Sequence, residues 1–182
     1  MTLQSKSTVN FCFDIFDLFP MLPRITNSVT WQQAEMLMQP AFIRVIDNIR
    51  KLLDTSVWTG TYKDVLMWHQ GVDAETQALV TELLQRLETA SPGQARQIKE
   101  HLATLPMPHP GYHLCLQRQE QKITVDIWDL CYQVCFYNYH LGDEKVDIDM
   151  NLIDDDGEVD WLHLDIKAKN LVEKMFADLS GE

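Results

Sequence analysis

The chain has 182 residues, with 27 Asp and Glu against 15 Lys and Arg and a formal net charge of −12. That length suits one domain with a sizeable core, and an apolar share of 46% with five Trp, five Tyr and seven Phe argues against disorder. A surface this negative argues against nucleic acid and anionic membranes and favours a basic protein partner or a cation, and no apolar run reaches the ~18 residues of a membrane span.

Residues 1–29 read as an aromatic N-terminal segment preceding a single domain at 30–182. Phe11, Phe13, Phe16 and Phe19 fall within nine residues. Such a segment is expected to dock on the core or on a partner rather than stay in water. It does not read as a secretory leader, because Asp14 and Asp17 interrupt it and a basic start and small-residue cleavage site are missing. A cytoplasmic location follows as an expectation, with Cys12, Cys115, Cys131 and Cys135 as reduced thiols.

Helices are predicted over about 30–105. Thr30 and Gln33 have capping-box spacing, and Trp31, Ala34, Leu37, Met38, Phe42, Val45, Ile46 and Ile49 form a helical stripe. Pro40 should kink or divide that helix. A short helix is expected at 61–70, with Val65 and Trp68 buried. Asp73 caps the next helix, and Ser91-Pro92-Gly93-Gln94 stops it and opens another. The alternate prolines of 106–111 favour an extended linker.

From Tyr112 the period falls to two, and a sheet is predicted over about 112–164. Strands are expected at 112–117, 122–128, 130–139, 146–153 and 158–164, with helix as the alternative at 130–139, and a final helix at 165–179 capped by Asp165. The fold class is therefore α+β: N-terminal helices packed on one face of an antiparallel meander of four to five strands, with a C-terminal helix.

The sharpest candidate chemistry lies at 147–158, Asp-Ile-Asp-Met-Asn-Leu-Ile-Asp-Asp-Asp-Gly-Glu. Asp147, Asp149, Asn151, Asp155 and Glu158 match oxygen positions of a calcium loop, but Leu152 stands where a sharp turn needs Gly. Alternating apolar and acidic residues fit a half-buried strand better, leaving Asp147 and Asp149 as an exposed acidic face for a basic partner. As a weak metal candidate, Asp126 could join Asp147 and Asp149 to hold magnesium for hydrolysis or phosphoryl transfer. Zinc between His113, Cys115, Cys131 and Cys135 lacks a Cys-x-x-Cys knuckle. A Cys115 nucleophile with His113 or His109 matches no known signature. Phosphate-cradling glycine loops, Gly-x-Ser-x-Gly and His-Glu-x-x-His are absent.

No cofactor is implied. The sequence favours a non-catalytic interaction, assembly or regulatory factor. The alternatives are the metal-dependent enzyme and a small-ligand binder whose pocket is lined by Trp31, Trp58 or Trp68. Phe11, Phe13, Phe16, Phe19, Asp147 and Asp149 are the expected contact residues. The oligomeric state is not legible.

Overall fold

The computed structural model describes residue 25 and residues 27–69, 71–140 and 145–180. The Phe11–Phe19 cluster therefore lies outside the described residues. Five helices and three strands follow in the order α1 Ser28–Leu53, β1 Thr59–Met67, α2 Ala74–Glu88, α3 Pro92–Leu102, β2 His109–Arg118, β3 Gln121–Asp126, α4 Ile127–Cys135 and α5 Trp161–Ser180. The α+β class holds. The sheet has three strands rather than four or five, in the order β1-β2-β3, antiparallel throughout.

Each difference from the predicted elements has a local cause. The 61–70 segment is strand, not helix. Thr59, Thr61, Tyr62 and Val65 favour the pleated backbone, and all nine residues of β1 pair with β2, from Thr59 opposite Gln117 to Met67 opposite His109. Segment 130–139 is mostly helix, because Asp126 accepts from the Trp128 and Asp129 amides and caps α4. Ile127, Leu130, Cys131, Val134 and Cys135 then recur at helical spacing on the buried face. Cys131 and Cys135 therefore share a helix face, not a strand.

Segment 146–153 is not a ladder strand. Among the described residues it makes two isolated bridges, Phe136 to Ile148 and Ile153 to Val159, on either side of a turn of 3-10 helix at Met150–Leu152. Segment 158–164 is likewise reduced to a bridge between Ile153 and Val159. The last helix starts a turn early, since Asp160 and not Asp165 supplies the cap through the His163 amide. His163, within the segment predicted as the last strand, is exposed on that helix. His69, predicted on a helix, follows the end of β1. The first helix starts at Ser28, capped by Asn27, whose side chain accepts from the Val29 amide, and runs undivided through Pro40. Buried Leu37, Met38, Ala41 and Val45 on both sides of the proline hold it together.

The signals at Asp73 and Ser91 act as read. Asp73 accepts from the Thr76 amide at 2.8 Å, and the Ser91 amide donates to Gln94 Oε1 at 3.1 Å. The β2–β3 hairpin closes through Gln119 at a φ of 53°.

Two apolar cores result. The main one joins α1, α4, α5 and the sheet face bearing Leu114 and Leu116. Tyr62 and Tyr112 stack across that face at 5.5 Å, and Phe42 stacks on Trp128 at 5.3 Å. The second is small: Val80 and Leu83 of α2 meet Ile98 and Leu102 of α3, with Trp68 and Leu105 against them. The α2–α3 hairpin is thus an insertion between two neighbouring strands, with a core of its own.

Candidate functional site

The acidic stretch folds into a self-contained loop leading into α5. Asp149 is its pivot. The Asn151 amide donates to Asp149 Oδ1 at 3.1 Å and the Asn151 side chain at 2.9 Å. Lys167 of α5 donates to Asp149 Oδ2 at 2.7 Å and to the Phe136 carbonyl at 3.3 Å. Burial pushes the Asp149 carboxyl up, but the bonds from Lys167 and Asn151 and the Lys167 charge outweigh it and leave it below the ordinary carboxylate range. Asp149 is therefore buried in an ion pair, not on an exposed acidic face. Asp147 is exposed as expected, and its carbonyl accepts from the Tyr137 amide at 2.7 Å.

Beyond the 3-10 turn, Asp154 accepts from the Asp156 and Glu158 amides. Gly157, at a φ of 81°, completes the turn. Asp160 caps α5, and the His163 amide and ring hold its carboxyl below its ordinary value.

The acids required for metal chemistry are committed elsewhere. Asp126 caps α4, Asp149 is paired with Lys167, and Asp147 lies on the loop. Among the described residues no group of three or more His, Cys, Asp or Glu is arranged to hold a metal ion. Cys131 and Cys135 are buried, and burial pushes the Cys131 thiol well up and the Cys135 thiol to about 12. His113 and Cys115 lie on the outer sheet face, away from both, since they alternate with buried Leu114 and Leu116. Trp58 is in the main core under the Arg118 guanidinium, at 4.8 Å, whereas Trp68 belongs to the α2–α3 core. An open groove of about 570 Å³ lies along α3, lined by Pro92, Ala95, Arg96, Lys99, Glu100 and Ala103, on a different element from all three tryptophans suggested for a ligand pocket.

What the sequence reading missed is apolar. Trp161, Leu162 and Ile166 are exposed on the first turns of α5, Leu162 at 68%, while Leu164 and Ala168 of the same turns are fully buried. Met150 and Tyr137 are also exposed, at 57% and 60%. The segments that carry these five side chains are tied together. Lys167 bonds both Phe136 and Asp149, Tyr137 bonds Asp147, and the Asp160 amide bonds the Leu152 carbonyl. Arg44 of α1 lies 5.4 Å from the Trp161 ring and 3.8 Å from Asp165, fixing the start of α5 on the body. Exposed Asp147, Asp154, Asp155, Asp156 and Glu158 flank these side chains along the chain. The available signal was the sequence 161–168 itself, which carries more apolar residues than one buried stripe can use.

No helix among the described residues is long and apolar enough to cross a membrane. Comparisons with protein families, with curated proteins and with solved structures found no match.

Proposed function

We propose that this chain is a non-catalytic protein-interaction factor whose contact surface is the first half of α5 and the acidic loop before it. The carrying observation is the exposure of Trp161, Leu162 and Ile166 on the first turns of a helix that also supplies buried Leu164 and Ala168 to the core. Large apolar side chains exposed together, with a polar margin, are a mark of contact surfaces. Trp is a favoured anchor. The flanking acids and the net charge of −12 favour a partner with apolar anchors and a basic margin. The Phe-rich segment Phe11, Phe13, Phe16 and Phe19 is a second contact element under this reading.

The test is quantitative capture from native lysate by the immobilised chain and by Leu162→Glu/Ile166→Glu. A partner enriched by the wild type and lost with the double variant, at unchanged melting temperature, supports the proposal. Identical capture profiles for both chains remove α5 as the contact surface.

A further inference from the structure

The α2–α3 hairpin joins the sheet through two crossings, 68–73 and 103–108, and each crossing has a histidine at its sheet end. His109 opens β2 opposite Met67, the last residue of β1, and His69 lies two residues beyond Met67. Their rings are 5.7 Å apart, tilted at 46°. His109 is 7% exposed, and its Nδ1 is buried without a hydrogen-bond partner among the described residues. A buried ring whose Nδ1 has no partner among the described residues tolerates the neutral form better than the charged one. The groups whose charge reaches His109 are His69 from the first crossing and Asp126 from the end of β3. Desolvation and His69 push the His109 ring below its ordinary value, against a smaller opposing pull from Asp126.

Each crossing also carries one apolar side chain, Trp68 or Leu105, onto the hairpin's own core. The hairpin's helices pack on each other around their own four-residue core and not into the main one. Gly71, at a φ of 93°, supplies a left-handed turn in the first crossing that other residues rarely adopt. A two-helix unit with so small a core is marginal by itself.

We propose that His109, packed against the His69 ring, is an acid-sensitive latch: with His109 neutral the neck is closed and the α2–α3 hairpin is held on the sheet, and protonation of His109 releases it. The sign follows from linkage. The unfolded or opened chain binds the proton more readily than the closed neck, so the latch is intact above the ordinary histidine value, about 6.5, and weakens as pH falls below it.

Hydrogen exchange on the full chain at pH 7.5 and 5.5, corrected for intrinsic pH dependence, tests this. Acidification should lower protection across 67–108 at least about threefold more than across α1. His109→Gln, which cannot take the proton, should abolish that difference, and His69→Ala, at an exposed position, should reduce it. The proposal is overturned by an equal loss in α1, by unchanged protection at 67–108, or by an acid response that survives in His109→Gln. Should His109→Gln fail to fold, an undiminished response in His69→Ala overturns it equally.

Discussion

The Asp149–Lys167 pair should hold the acidic loop on α5, and removing its cation should cost more than a surface ion pair does. The Asp149 side chain is 11% exposed and that of Lys167 30%. Breaking a fully buried pair costs about 3–5 kcal/mol and an exposed pair about 0–1. This geometry lies between, so Lys167→Met should destabilise by about 2 kcal/mol, since it strands a mostly buried carboxylate. Asp149→Asn keeps the side-chain oxygen facing the Asn151 donors and should cost about 1–2 kcal/mol. The double variant should fall short of the sum by about 1 kcal/mol, the signature of a direct pair. Urea unfolding at pH 7 measures all four corners of the cycle. The folded Asp149 carboxyl lies below its unfolded value, so its contribution is present above about pH 4 and is lost as pH falls through the folded value. The gap between wild type and Asp149→Asn should therefore close on acidification. Additive single costs, or a gap that widens at low pH, would refute the assignment of Lys167 as the partner that fixes this loop.

Leu164, fully buried between α5 and the core, should lose about 2–5 kcal/mol as Leu164→Ala, whereas Leu162→Ala, one turn-face away and exposed, should stay within about 0.5 kcal/mol by denaturant unfolding. Gly111→Ala places a Cβ 2.6 Å from Met67 Cγ and 2.9 Å from Val65 Cγ2, so the variant should lose about 1–3 kcal/mol in the same assay, less if Met67 swings aside. Burial and the nearby Tyr112 push the Tyr62 phenol up to about 12; ultraviolet titration should show one tyrosine ionising there, with stability lost between about pH 10 and 12. Melting in EDTA should match melting with Mg²⁺, Ca²⁺ or Mn²⁺ to within about 1 °C, and a rise of several degrees would return the carboxylates to metal chemistry.

The helical half of the fold was legible where a cap and a stripe agree, as at Asp73 with Val80 and Leu83 or at Ser91 with Ile98 and Leu102. The β2–β3 hairpin was legible because its two strands are adjacent in the chain. Strand β1 was not, since its partner lies some fifty residues on, past two helices, and Val65 and Trp68 happen to be three apart. In α4 the run of aromatic residues and cysteine suggested strand, but the 127, 130, 131, 134, 135 spacing and the Asp126 cap decide for helix. There the cap and the helical spacing outweigh single-residue propensity.

The acidic stretch carries the most instructive reversal. Alternation correctly assigns Val146, Ile148 and Leu152 inward and Asp147 and Asn151 outward, yet Asp149 is buried and Met150 exposed. An Asx turn explains the exchange. Asp149 turns back onto the Asn151 amide, starts the 3-10 helix and so rotates its own carboxylate toward Lys167. The same rotation carries Met150 outward, to a segment linked through Lys167 to the exposed start of α5. A cation eighteen residues downstream thus fixes the turn that leaves Met150 exposed and Asp149 buried. Lys167→Met should weaken partner capture as well as stability, and suppressing that loss with Asp149→Asn would tie the contact surface to the pair itself rather than to either charge alone.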